Sequence, residues 1–348
     1  MAKKFLHAIL FLDIPIIKIV GFLIVSVMLL SCSKTVCYKK KLNVNYKNLE
    51  PQKVEILEYN KALFAIDTAD FEAGIQAIRP QYSALLGDTL EAYEIAYLKD
   101  FVTDTFVMRI NELVEESFPN SEVVSEKVKG VYQHLKYYYP DLTMPATFTY
   151  VSGIDFNNGS VMIATEAVMI SLDFYLSNKD LVYDKVGMPR YVSRRCQPAA
   201  LTKDLAEAIY YSYVFMDIKA KNVLKEMIDR GKKYYFIEAM DPTLNDSILL
   251  GYSSQQMEWA QDNEWAIWAT IVGNNMLYAN GFEQYRVLFN DGPFTAAFSE
   301  NAPARLGDFI GLQIVRSFMT NNDETLQHLM EMTDYQEIFQ KSHYKPRK

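Results

Sequence analysis

Thr147-Phe148-Thr149-Tyr150-Val151, followed by Val161-Met162-Ile163 and Ala167-Val168-Met169-Ile170, decides the fold class. These runs are β-branched and aromatic, the composition of a pleated, half-buried surface. Thr165-Glu166 reads as the turn of a strand pair, and Asp155 to Gly159 as the polar loop leading into it. On both sides of this interlude the apolar residues recur at helical spacing instead. The expected class is therefore α+β, predominantly helical, with one small β-sheet.

Before the strands, residues 52–138 read as helical almost throughout. Asp88-Thr89-Leu90-Glu91 has capping-box spacing, and Leu90, Tyr93, Leu98, Phe101, Phe106, Ile110 and Leu113 keep near-helical spacing after it. A second helix, about Ser121 to Tyr138, is stopped by Pro140. Tyr137-Tyr138-Tyr139 at its end reads either as a binding edge or as the amphipathic rim of a core. After the strands, helices are expected at Leu201 to Phe215, Val223 to Arg230, Leu306 to Met319 and Thr325 to Gln340. Ser253-Ser254-Gln255-Gln256 is a capping box opening a long helix to about Leu277, with Trp265, Trp268 and Val272 on one face.

Composition narrows the function. The 348 residues are 50% hydrophobic and carry 35 basic against 43 acidic side chains, giving a net charge of −8. That balance is globular, and it excludes a nucleic-acid partner, whose phosphates need a basic face. The four histidines, His7, His134, His328 and His343, are too dispersed for any H-E-x-x-H zinc motif, so no metal and no other cofactor is expected. No G-x-S-x-G elbow, Walker loop, dinucleotide fingerprint or calcium loop occurs. Glu258 and Asp262 lie one helical turn apart, a spacing too common on exposed helices to indicate a glycosidase. No catalytic residue is assigned.

The N-terminus carries an address. Lys3-Lys4 precedes an apolar segment whose last uncharged run, Ile19 to Ser33, has 15 residues, long enough for a secretory h-region and short of a membrane span. It ends Leu29-Leu30-Ser31-Cys32, which resembles the bacterial lipobox, so residues 1–31 read as a lipoprotein signal peptide and Cys32 as the acylated residue. Residues 32–50 form the tether, with Lys39-Lys40-Lys41 either attracted to anionic lipid or merely solvated. Residues 51–348 read as one domain. The first partner is then the membrane, reached through N-terminal acyl groups. No acidic run follows Cys32, which favours a face turned to the periplasm. Cys37 and Cys196 either pair or stay separate inert thiols, and Cys196 reads either as a thiol whose pKa Arg194-Arg195 lower or, the favoured reading, as a structural cysteine.

Several phrases then resemble the gliding-motility lipoprotein family, GldB. They are Thr149-Tyr150-Val151-Ser152-Gly153, Met188-Pro189-Arg190-Tyr191 with Arg194-Arg195, and Gly231-Lys232-Lys233-Tyr234-Tyr235-Phe236. Gly251-Tyr252-Ser253 with Gln256 and Trp259, Gly292-Pro293-Phe294, and Pro303-Ala304-Arg305-Leu306-Gly307-Asp308-Phe309-Ile310-Gly311 complete them. The similarity runs from about His134 to Pro346. It implies a lipid-anchored envelope protein of Bacteroidetes associated with gliding machinery. It also implies a layout distantly similar to zincin-type metallopeptidases over residues 139–348, in which Ala206-Glu207-Ala208-Ile209-Tyr210 occupies the metal-motif register with both histidines replaced.

The leading expectation is a non-catalytic envelope protein that binds a protein or peptide partner, with Glu207, Tyr210, Met169 and Ser171 in the cleft. The alternatives are a hydrolase with an unrecognised site and a purely structural lipoprotein. Gly307 and Gly311 read either as a seam for a second helix or as tolerated glycines. Arg305 and Asp308 read as a surface pair.

Overall fold

The computed structural model describes residues 41–45, 49, 54–216 and 222–348. The signal-peptide reading, the lipobox at Cys32 and the thiol of Cys37 lie outside the described residues. The chain divides into two units, Met1–Val44 and Asn45–Lys348. Everything below concerns the second.

Its sheet has four strands, β1 (Ile56–Glu58), β2 (Ala146–Tyr150), β3 (Val161–Ile163) and β4 (Ala167–Ser171), in the order β1-β2-β4-β3. β1 and β4 both run parallel to β2, with Leu57 opposite Phe148 and Phe148 opposite Met169, while β3 closes the edge antiparallel to β4. The hairpin of β3 and β4 is the expected strand pair. β1 is the one strand among the described residues of 52–138, a stretch expected to be helical almost throughout. Three residues are too few for periodicity to reveal, and β1 is a strand only because β2, far along the chain, supplies its hydrogen-bond partners. The two central strands are buried mostly on both faces, whereas β1 and β3 are half-buried, as edges are.

Between β1 and β2 run α1 (Tyr59–Phe64), α2 (Phe71–Ile78), α3 (Ser83–Leu86), α4 (Ala92–Thr103), α5 (Thr105–Ser117) and α6 (Glu122–Tyr138). Tyr59, Leu63, Phe71, Ile75, Tyr82, Leu86 and Val102 form a core against Phe148 of β2. From α6 the Tyr132 hydroxyl meets Thr147 Oγ1 at 2.9 Å, and Val124, Val128, Val131 and Leu135 are buried at helical spacing. The expected box at Asp88 forms three residues later: the Glu94 carboxylate accepts from Glu91 N–H at 2.8 Å, and α4 begins at Ala92. Of the tyrosine run, Tyr138 is buried and Tyr137 exposed, the pattern of a core rim.

After the sheet come α7 (Val182–Lys185), α8 (Arg190–Ser193), α9 (Leu201–Ile209) and α10 (Val223–Met240). Next are α11 (Asp246–Leu250), α12 (Ser254–Asp262), α13 (Glu264–Gly273) and α14 (Phe282–Phe289), and the chain closes with α15 (Leu306–Asn321), α16 (Leu326–Glu331) and α17 (Tyr335–Ser342).

The helix expected over Leu201 to Phe215 is α-helical only to Ile209. It widens to a π turn over Tyr210–Val214, where Phe215 N–H reaches the Tyr210 carbonyl and Tyr210, Tyr211 and Phe215 pack ring on ring. The box of Ser253 and Gln256 forms as expected, but Asn263 ends that helix, its side chain donating to the Trp259 carbonyl. In α13 the buried face is Glu264, Ile267 and Ile271, leaving Trp265 and Val272 exposed. The last expected helix is likewise two, capped separately by Thr325 and Asp334.

α10 does not stop at Arg230. It crosses α15 at Gly231 and Gly311, where a Cβ on Gly311 would lie 1.8 Å from the Met227 carbonyl oxygen and one on Gly231 2.3 Å from the Gly311 oxygen. Glycine is there because two backbones touch, so it did not act as a helix stop. Of the two readings of the seam, Gly311 is the close backbone approach, while Gly307 faces the ring of Phe289.

Candidate functional site

The phrases that carry the family resemblance are scattered in sequence and meet in the fold. Around the start of α15, Arg305 takes a left-handed backbone, φ 58°, as the cap residue. That turn aims its guanidinium inward, where Nη1 donates to the Tyr234 hydroxyl at 3.0 Å and Nη2 to the Leu250 carbonyl at 2.5 Å. Tyr234 in turn donates to Asp308 Oδ2 at 2.9 Å, and Arg230 reaches Asp308 Oδ1 at 3.1 Å. Asp308 is 1% exposed, so the expected Arg305–Asp308 surface pair is instead a buried ion-pair network. The reason is tertiary, since α10 and α14 cover that helix face. Burial alone would lower the pKa of Arg305, but Tyr234, Asp308 and Asp291 overcome it and keep the guanidinium charged.

Arg195 extends the network outward. It grips Asp291 bidentately, Nη1 to Oδ2 at 2.8 Å and Nη2 to Oδ1 at 2.6 Å, while Arg305 Nε lies 3.3 Å from the same carboxylate. Arg194 donates to Gln256 Oε1 at 2.8 Å, and Gln256 donates to the Pro293 carbonyl. The Tyr252 hydroxyl donates to the carbonyls of Ala304 and Arg305, at 2.9 and 3.1 Å. Gly251, at φ 69°, leaves the space beside Arg195 open, because a Cβ there would stand 2.9 Å from Arg195 Nε.

Glu207 lies on α9, clamped between two lysines: Lys203 at 2.7 Å one turn back and Lys233 of α10 at 2.7 Å. Burial would raise its pKa, yet the two ammonium groups hold the carboxyl well below its ordinary range. It is a fixed anion with one ammonium group on each oxygen. Lys203 also pairs with Asp204, which accepts from Ser160 and Tyr175, so β3 and the strand-following turn are tied to α9.

The four residues expected in a cleft serve different surroundings. Tyr210 is buried against Phe236. Ser171 is fully buried and donates to Asp173, whose other oxygen also accepts from Ser152 and Ile154. Met169 is half-buried and faces a groove beside Tyr93 and Tyr97. Cys196 is buried, and burial and Asp204 push its thiol up to about 12, outweighing the lowering effect of Arg195, so of the two readings it is the structural thiol. Among the described residues no group of three His, Cys, Asp or Glu could hold a metal ion, and no helix is long and apolar enough to cross a membrane.

What sequence reasoning missed is the role of the basic residues. Arg194-Arg195 and Arg305 were both visible as charges, but only the fold joins them to Gln256 and Asp291.

Fold and site define a predominantly helical α+β domain organised around a buried ion-pair network with a basic mouth. The chain belongs to the GldB family: a family model described as gliding motility protein GldB matches residues 39–346. The match starts well before His134, so the helical N-terminal part belongs to the family unit too. No curated protein and no solved structure matches the chain.

Proposed function

We propose that this chain is a lipid-anchored, non-catalytic envelope protein of the gliding-motility lipoprotein type that holds a protein or peptide partner. The observation that carries the reading is the family match over residues 39–346. The lipobox-like Leu29-Leu30-Ser31-Cys32 supplies the anchor, with acyl groups on Cys32 and the domain facing the periplasm.

The non-catalytic part is supported by Glu207. A general base must be free to take a proton and needs a pKa near the working pH. Glu207 instead has two lysines on its oxygens and a pKa far below neutrality. In the zincin-like register it is the residue that would act, and here it joins α9 to α10.

Crosslinking in intact cells with a tagged full-length chain, followed by mass spectrometry, tests this. The expected result is a stoichiometric envelope partner that is lost in Cys32→Ala. Peptide cleavage by the purified chain that disappears in Glu207→Gln, with the fold retained, would overturn it.

A further inference from the structure

The mouth of the arginine network is two adjoining hollows. The inner one, about 20 Å³, is lined by Arg194, Arg195, Lys203, Asp204 and Gly251; the outer, about 530 Å³, by Arg190, Arg194 and Asp184. Arg194 and Gln197 line both, so the hollows share a wall. Of the four cations on the walls, Arg195 is paired with Asp291 and Lys203 with Asp204 and Glu207, which leaves Arg190 and Arg194 to face the opening.

The donors here are not used up. Arg195 Nε is buried and has no hydrogen-bond partner. Arg194 donates to the Gln256 amide oxygen, and neither it nor Arg190 has a carboxylate partner among the described residues. Burial, then the positive charges of Arg195 and Arg305, depress the pKa of Arg194, with only Asp291 acting against them. A buried donor without an acceptor is costly, so such a place is one that a ligand oxygen or water can satisfy. Gly251 lies close against Arg195, so any side chain at that position would press on its guanidinium.

We propose that this pocket binds a carboxylate of a peptide segment of the partner, with one oxygen in the inner hollow between Arg194 and Arg195 and the rest of the residue in the outer hollow. The inner volume is about that of one water-sized group, which suits a carboxylate oxygen better than a tetrahedral phosphate. Asp184 and Asp204 on the walls oppose a dianion and accept N–H groups from a peptide backbone. The planar fork of Arg194 matches a carboxylate. This inference rests on the partner-binding reading and names the chemistry the partner presents.

The test uses the full-length chain in detergent micelles and a fluorescein-labelled hexapeptide library. Half of the library carries Asp or Glu, and half carries Asn or Gln at the same positions. Fluorescence anisotropy is expected to show acidic peptides binding at least about tenfold tighter than their amide counterparts, weakening as salt is raised. Arg194→Gln is expected to abolish that preference, and Arg194→Lys to retain part of it, with circular dichroism melts checking that both variants stay folded. Equal binding of acidic and amide peptides, or an acidic preference surviving in Arg194→Gln, overturns the proposal. So does binding of phosphatidylglycerol vesicles or inorganic phosphate in place of peptide. Crosslinking in an Arg194→Gln strain separates the two readings: a partner still captured at full yield sinks the pocket and leaves partner binding standing, whereas no partner even with the wild-type chain sinks the latter.

Discussion

Lys233 of α10 donates a 2.7 Å hydrogen bond to Glu207 of α9, and Lys203 holds the other carboxylate oxygen at the same distance. Two helices are thus joined through one anion, at the position where the zincin-like register would place a base. Removing the carboxylate leaves Lys233 without its carboxylate partner and Lys203 with Asp204 alone.

Glu207→Gln is therefore expected to cost roughly 3 kcal/mol in urea unfolding at pH 7. The folded-state pKa is depressed below the ordinary 4.5, so this contribution is present above pH 4.5 and fades as pH falls further. The gap between wild-type and Glu207→Gln stabilities should narrow progressively as pH falls below 4.5, without closing by pH 3, because the folded-state pKa lies well below that. A difference that stays constant across that range would show the pair contributes nothing through charge.

Lys232 behaves in the opposite sense. It is buried, donates to the carbonyls of Met330 and Met332, and burial pulls its pKa down to about 8. Between pH 8 and its ordinary 10.5 the unfolded chain binds a proton that the folded chain lacks, so stability rises with pH there. Relative to Lys232→Met, the wild-type chain should gain roughly 2–3 kcal/mol from pH 7 to pH 10 by chemical denaturation.

The crossing of α10 and α15 gives a steric prediction. Gly311→Ala would place a methyl 1.8 Å from the Met227 oxygen, so the helices must separate. A loss of more than about 3 kcal/mol, or no folded product, is expected from circular dichroism melts. Gly130 in α6 has nothing within 4 Å of an added Cβ, and Gly130→Ala should be neutral or stabilise by about 0.5–1 kcal/mol.

Cys196 should be inert. With its thiol buried and pushed up to about 12, iodoacetamide at pH 8 should leave it unmodified in the native chain and label it fully in urea. Peptide mass spectrometry reads this site alone, whatever the state of the other cysteines. Native labelling at a rate close to that in urea would mean the site opens readily.

Sequence alone determined what depends on neighbours in the chain. The stripe of Val124, Val128, Val131 and Leu135 ending before Pro140 set α6, the Ser253–Gln256 box set the start of α12, and the β-branched runs about Thr165-Glu166 set the β3–β4 hairpin. Each rests on interactions spanning a few residues, so their signatures are local. Tertiary structure decided the rest. β1 exists because Ile56 pairs with Thr147, and Gly231 continues a helix because Gly311 lies against it. Asp308 is buried and Arg305 half-buried, rather than exposed, because α10 brings Arg230 and Tyr234 onto them. The pocket needs Arg194, Gly251, Gln256 and Asp291 from four separate segments, and a charge's surroundings are set by which distant segments pack around it, which no local pattern of residues encodes.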